Sequence, residues 1–240
     1  MYIVSQMGVL DILFPISCLE CGGGNKYLCN NCLPKVGGAK LFCLECHKPS
    51  IDGATHVKCR KKRSIDFAYS PWDYGGVIRK AILKLKYNFA YTIANELADR
   101  FTEKIQKDVP ILPKSAVLIP IPLYRSRQNW RGFNQTEELG KIIAQKLSWE
   151  YVPNALRRTK KTTPQADLKG KDRAINLKGV FSLSTNYSPS RRLSGAGGYL
   201  PSTNYIVFDD VLTTGSTLKE ACKVLKHGGV KIVWGLTIAA

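Results

Sequence analysis

Apolar residues along the second part of the chain fall into two rhythms. Val77, Ile78, Ala81, Ile82 and Leu85 recur three and four positions apart, as do Ile93, Leu97, Phe101 and Ile105 with Ala94 and Ala98 beside them. This spacing predicts two amphipathic helices. Leu139, Ile142, Ile143 and Leu147 predict a third, and Leu218, Ala221, Cys222 and Leu225 a fourth that Gly228 and Gly229 end. Between them lie short unbroken apolar runs: Ala116 to Ile121, closed by Pro120 and Pro122; Tyr205 to Phe208, ending at Asp209 and Asp210; and Val230 to Ile238. Such runs predict strands buried on both faces. Strands alternating with helices predict an α/β fold with a parallel sheet and right-handed crossovers.

Two stretches lack either rhythm. Arg157 to Lys178 is polar and basic, with Pro164 and Gly170, and Ser184 to Asn204 is rich in Ser, Gly and Pro and reads as a flexible insertion. Ahead of residue 65 the composition changes again. Seven of the eight cysteines lie between Cys18 and Cys59. We therefore expect an N-terminal module over 1–64 and an α/β domain over 65–240. No stretch reaches the roughly 18 uninterrupted apolar residues of a spanning helix. Met1 to Phe14 has no Lys or Arg and carries Asp11 within its apolar part, unlike a secretory leader. The expectation is a cytoplasmic protein without membrane insertion, in which thiols stay reduced and paired cysteines hold metal.

The cysteines come as knuckles. Cys18-x2-Cys21 and Cys29-x2-Cys32 are separated by seven residues, Cys43-x2-Cys46 is a third pair, and His56-x2-Cys59 has the spacing of a fourth. A two-residue gap aims two ligands at one ion, and thiolates suit tetrahedral Zn2+. The simplest partition puts Cys18, Cys21, Cys29 and Cys32 on one zinc and Cys43, Cys46, His56 and Cys59 on a second. His47, directly after Cys46, competes with His56 for the second site, so one or two ions are expected. Four protein ligands leave no open position, which makes such zincs structural. Cys222, on the apolar face of a helix, reads as a core residue.

The sharpest motif runs Ile206-Val207-Phe208-Asp209-Asp210-Val211-Leu212-Thr213-Thr214-Gly215-Ser216-Thr217. A buried strand delivers two carboxylates, a hydroxyl-rich loop follows, and a helix begins. Parallel sheets bind ligands beyond the carboxyl ends of their strands, and a helix N-terminus suits a phosphate. Asp209 and Asp210 can accept hydrogen bonds from neighbouring sugar hydroxyls, while Gly215 lets the backbone approach closely.

This segment resembles the phosphoribosyl pyrophosphate (PRPP) signature of type I phosphoribosyltransferases. Ile119-Pro120-Ile121-Pro122-Leu123, then Arg125, Arg127, Arg131-Gly132-Phe133-Asn134-Gln135, and later Arg158, Thr163-Pro164-Gln165, Leu168, Arg173 and Asn176, together with the zinc knuckles, resemble the ComF family of competence-associated phosphoribosyltransferase-like proteins. The similarity runs from Leu10 to Ile238. It departs at His56-x2-Cys59, where the family has two cysteines, and in the length of the segment from Ser184 to Asn204.

The resemblance implies a type I phosphoribosyltransferase core with an N-terminal zinc ribbon. By position, Asp209 and Asp210 would hold the ribose hydroxyls, and Thr213, Thr214, Gly215, Ser216 and Thr217 the 5-phosphate. The loop after Pro120, with Arg125 and Arg131, would lie near the pyrophosphate. Residues 157–178, with Arg158, Gln165 and Arg173, would form a mobile loop closing over the site. Mg2+ would bridge diol and pyrophosphate. Asp210 is the candidate for a general base, against the plainer role of holding ribose.

Charge adds a second partner. Lys and Arg number 36 against 18 Asp and Glu, a formal net charge of +18. Residues 120–178 alone hold 13 Lys or Arg and 5 Asp or Glu, a net of +8. Tyr124, Trp130 and Phe133 are interleaved with Arg125, Arg127 and Arg131, a composition that can track and stack single-stranded DNA; the plainer reading makes Phe133 core and the lysines a solvated face. Three functions stand at this point. One is PRPP binding with phosphoribosyl transfer to an unidentified acceptor in support of DNA uptake. A second is a non-catalytic single-stranded-DNA-binding protein regulated by PRPP. The third is a nucleobase salvage enzyme. The zinc module is a candidate docking surface for other competence proteins.

Overall fold

The computed structural model describes residues 16–38, 41–87, 91–160, 179–185, 187 and 204–240, leaving aside the side chain of Arg127. Five strands form one parallel sheet: β1 (Phe67–Tyr69), β2 (Ala116–Pro120), β3 (Glu150–Tyr151), β6 (Asn204–Val211) and β7 (Ile232–Ala239), in the order β1-β7-β6-β2-β3. A separate antiparallel pair joins β4 (Leu156–Arg158) to β5 (Phe181–Leu183). The helices are α1 (Gly76–Tyr87), α2 (Tyr91–Asp108), α3 (Arg125–Arg131), α4 (Gln135–Lys146) and α5 (Ser216–His227). The α/β expectation holds, and the apolar periodicities mark the buried faces of α1, α2, α4 and α5.

The two-residue period of the central strands sorts their side chains between two cores. Leu118, Ile206 and Phe208 pack with Ile78, Ile82, Leu97, Phe101, Leu139 and Ile143 of α1, α2 and α4. Val117, Ile119, Tyr205 and Val207 pack with Leu218, Ala221, Cys222 and Leu225 of α5 and with Leu156 and Phe181 of the small pair. Cys222 is indeed a core residue, fully buried. Gly235, midway along β7, is dictated by close approach: a Cβ there would lie 2.6 Å from Ile65 Cδ1 and 3.0 Å from Leu218 Cδ1.

The cysteine-rich segment joins both cores. Cys18, Leu28 and Cys32 belong to the α1–α2 side. Leu44 and Ile65 belong to the α5 side. Glu96 of α2 clamps the first lobe, accepting the backbone N–H groups of Tyr27 and Leu28 on its two oxygens, each at 2.9 Å. At the C-terminal edge of the sheet, Asn134 caps α4 by accepting Thr136 N–H at 3.1 Å and donates to Ile121 O at 3.1 Å, tying the helix start to the loop leaving β2. No helix among the described residues is long and apolar enough to cross a membrane.

Candidate functional site

Two clusters with the donors to hold a metal ion sit in the N-terminal segment: Cys18, Cys21, Cys29 and Cys32, and Cys43, Cys46, His56 and Cys59. Within each, the ligand atoms all lie within 4.8 Å of one another. Zn–S bonds of about 2.3 Å in a tetrahedron put sulfurs roughly 3.8 Å apart, and Cys21 Sγ and Cys29 Sγ are 3.8 Å apart. Cys46 Sγ lies 3.3 Å from His56 Nδ1, and His56 Nε2 is 2.9 Å from Pro49 O. The carbonyl accepts the hydrogen bond from Nε2–H and so favours the tautomer that offers Nδ1 as ligand, the usual outer-shell arrangement of a zinc histidine. Both donor sets fit structural zinc, with four protein ligands each.

The two clusters repeat one design. Each opens with a knuckle whose closing residue is left-handed, Gly22 (φ +73°) after Cys21 and His47 (φ +58°) after Cys46, held by Gly22 N–H to Cys18 O at 2.9 Å and His47 N–H to Cys43 O at 2.8 Å. Each is completed from a tight turn, Cys29 to Cys32 or His56 to Cys59. His47 therefore occupies the turn position of Gly22 and stacks on Phe42 at 6.0 Å, which settles the choice of ligand for His56. Crowded thiols cannot all ionise alone. Burial raises Cys18, but backbone N–H groups of Cys21, Cys29 and Glu20 outweigh it and bring its pKa down to about 6, whereas burial and its three neighbours push Cys32 up to about 12. A dication is what allows four thiolates in contact.

The second site lies at the C-terminal end of β6. Consecutive strand residues face opposite ways, so Asp210 shares the side of Ile206 and Phe208, where α1 ends and α4 begins. Lys86, in the last turn of α1, places Nζ 2.7 Å from Asp210 Oδ2, and Gln135, the first residue of α4, donates Nε2–H to the same oxygen at 3.0 Å. Arg131, at the end of α3, donates from Nη1 to Gln135 Oε1 at 3.0 Å, and its guanidinium lies 5.7 Å from the Tyr87 ring. Asp209 Oδ1 accepts the Asp210 N–H at 2.9 Å.

This arrangement pulls the two acids apart. Burial and the adjacent Asp210 charge push the Asp209 pKa up to about 8. Burial acts on Asp210 in the same sense, but Lys86 and the Gln135 hydrogen bond prevail and hold it below the usual carboxylate range. Lys86 is raised, because the Asp210 and Asp209 charges outweigh the cost of burying its ammonium.

Beyond the acids, Leu212 turns inward, and Thr213, Thr214, Gly215, Ser216 and Thr217 lead into α5. Gly215 is its N-cap at φ +73°. Thr214 Oγ1 and Ser216 Oγ are 2.8 Å apart. Pro120 ends β2 in register with Phe208, so the loop leaving β2 borders the acidic pair. Arg125 is exposed at the start of α3. Arg158 stands in β4 with its guanidinium 5.7 Å from the Phe181 ring. Gln165 and Arg173 lie outside the described residues, as does most of the segments 157–178 and 184–204. Phe133 is half-buried, neither core nor free surface. Sequence reasoning missed Lys86, which looks like any basic residue in the last turn of a surface helix, and left Gln135 without a role.

No family model matches the chain. It is similar to competence protein F of Haemophilus influenzae, with 32% identity over 238 aligned residues that cover 94% of this chain and 98% of the relative. The chain belongs to the ComF family. Two further relatives of this ComF-family protein are the DNA utilization protein YhgH of Escherichia coli K12, 26% identical across 88% of each chain, and competence protein ComFC of Bacillus subtilis, 24% identical across 85% of this chain and 78% of the relative.

Metal analysis of the purified protein should give two zinc ions per chain, and His56→Ala should give one. Retention of both by His56→Ala would remove His56 from the ligand set. The acidic pair carries its own signature. Because the folded pKa of Asp209 lies above the ordinary value of about 4, its contribution to stability is complete below pH 4 and is lost as pH rises toward 8. Asp209→Asn should therefore melt near wild type at pH 4 and above it at pH 8.5, by roughly 3–6 °C. Parallel Tm curves for the two proteins across this range would contradict the assignment.

Proposed function

We propose that this protein binds PRPP at the C-terminal end of β6 and acts in DNA uptake. One observation carries the first half: a buried strand delivers two consecutive carboxylates, Asp210 paired with Lys86, two residues ahead of a hydroxyl-rich loop that opens a twelve-residue helix. The first N–H groups of a helix lack intrahelical acceptors, and its dipole favours an anion. Thr213 to Thr217 would hold the 5-phosphate. Lys86 and Gln135 both meet Asp210 at Oδ2, and its other oxygen would be turned to a ribose hydroxyl. Asp209 would take the second hydroxyl, and the loop after Pro120, with Arg125 and Arg131, would face the pyrophosphate. Mg2+ entering with the ligand would neutralise pyrophosphate charge.

In a transfer, the bond from the anomeric carbon to pyrophosphate breaks as the bond to the acceptor forms, and the acceptor loses a proton. Asp210, which stays ionised, is the candidate to receive that proton, whereas Asp209 holds its own near neutral pH. The second half rests on the relatives named for competence and DNA utilization.

Calorimetry with Mg2+ and PRPP tests the site. Wild type should bind, and Asp209→Asn with Asp210→Asn should abolish binding while its circular dichroism stays native. Unchanged affinity in the double variant would sink the site assignment. Pyrophosphate release, assayed with and without single-stranded DNA, then separates an enzyme from a sensor.

A second reading, single-stranded DNA as the working partner, is favoured by a patch of exposed aromatics. Trp130 is 73% exposed and meets Tyr87, 61% exposed, edge-on at 6.4 Å, under the Arg131 guanidinium. Aromatic faces beside arginine stack bases without regard to sequence. Trp130→Ala should weaken single-stranded DNA binding by about 1–3 kcal/mol, and wild-type affinity should fall steeply with salt. Salt-insensitive binding, or binding untouched by the substitution, would exclude this patch.

A further inference from the structure

We propose that Leu44, fixed between the metal-binding residues Cys43 and Cys46, is a positioning residue for the loop at 212–217 and makes that loop's hold on phosphate depend on the second metal centre. The proposal rests on the reading of this loop as the phosphate site. Leu44 is completely buried and packs in the α5-side core with Leu212 and Leu218, the apolar residues on either side of the loop. A Cβ built on Gly215 would lie 2.6 Å from Leu44 Cδ1, 3.0 Å from Cγ and 3.2 Å from Cδ2. The Leu44 side chain thus bears directly on the N-cap of α5, and Gly215 is required there by space as well as by its φ of +73°. The next residue adds a polar link: Glu45 Oε2 lies 3.6 Å from Lys219 Nζ in the first turn of α5.

What holds Leu44 in place is the knuckle itself. Its short turn is closed by His47 N–H to Cys43 O at 2.8 Å and Cys43 N–H to Lys48 O at 2.9 Å, and by the convergence of Cys43 and Cys46 with His56 and Cys59. These bonds and Ser50 N–H to Leu41 O at 3.1 Å close the hairpin's backbone, whereas metal bonds would fix both ends of the turn and the side chain between them. The first lobe is anchored elsewhere, through Leu28 on the α1–α2 side and its N–H on Glu96. Of the two metal centres, the second is therefore the one whose loss would withdraw the support behind the N-terminus of α5.

The test compares Leu44→Ala, Leu44→Met, His56→Ala and, as an equal truncation in a remote part of the core, Leu97→Ala. Zinc content, affinity for PRPP with Mg2+ by calorimetry, and amide hydrogen exchange over 212–218 are measured on each full-length protein. Leu44→Ala should keep both zinc ions, bind PRPP roughly tenfold more weakly, a common size for coupling between sites, and exchange faster over 212–218. Leu44→Met should restore both properties, since it nearly conserves volume. His56→Ala should lose one zinc and behave as Leu44→Ala does, and Leu97→Ala should bind and exchange over 212–218 as wild type. If Leu44→Ala does not fold, Leu44→Val, which removes one methylene, takes its place with a smaller effect in the same direction. Wild-type affinity and exchange in the folded Leu44 variant would overturn the proposal, as would equal weakening by Leu97→Ala. Failure of the wild type to bind PRPP would instead remove the phosphate reading. Exchange then decides on Leu44 alone: acceleration confined to 212–218 upholds it as the support of the loop, and unchanged exchange rejects it.

Discussion

Two neighbouring carboxylates close a strand that is otherwise sealed. β6 is the middle strand of five, and residues 205–208 are fully enclosed by the two cores. A buried charge without a partner costs several kcal/mol, so the strand can end in Asp209 and Asp210 only if the surrounding elements answer them. Asp210 is answered by a cation and an amide, Lys86 from the end of α1 and Gln135 from the start of α4. Asp209 is answered by its neighbour's N–H and by retaining a proton into neutral pH. These demands fix where two helices meet the sheet. α1 must reach the strand end with its last turn, and α4 must begin there, which its Asn134 cap secures by bonding to the loop leaving β2.

The N-terminal segment faces a different constraint. Some forty residues rich in Gly, Lys and Cys bury too little apolar surface to make a stable core alone, and metal ligation is the common remedy. Here it is combined with borrowing. Each lobe contributes one fully buried leucine to a core built mainly by the α/β elements, Leu28 on one side and Leu44 on the other. Glu96 and Lys219 supply polar attachments to the same two lobes. The segment thus joins both layers around the sheet, and its second lobe lies against the N-terminus of the helix that follows the acidic pair.

Local chemistry was legible in the sequence, and long-range chemistry was not. The knuckles, the apolar faces of α1, α2, α4 and α5, and the strand-acid-loop-helix order of 206–217 are written in short spacings, where period and turn preference act over a few residues. The choice of His56 over His47 was left open because spacing alone does not reveal that the position after Cys46 must turn left-handed, as the one after Cys21 does. Lys86 and Leu44 carried no local signal. One is a lysine among several in a basic helix, and the other is one apolar residue within a knuckle. Their roles come from partners 124 and 171 positions away, Asp210 and Gly215, which only the sheet order brings near.

The same distances explain why the acidic pair is built asymmetrically. Had both aspartates been ionised beside the single Lys86, the strand end would carry a net negative charge and repel an anion such as the proposed ligand. Had both been protonated, neither would accept a sugar hydroxyl as strongly. One paired carboxylate and one that holds its proton give a strand end with little net charge beside a helix N-terminus that favours anions. Lys86 is what creates this asymmetry, since it lowers Asp210 far more than Asp209 and so leaves the second acid to carry the cost of burial. A lysine in the last turn of α1 thereby sets the ionisation of both residues at the end of β6, one through direct contact and the other through the charge it preserves on its neighbour.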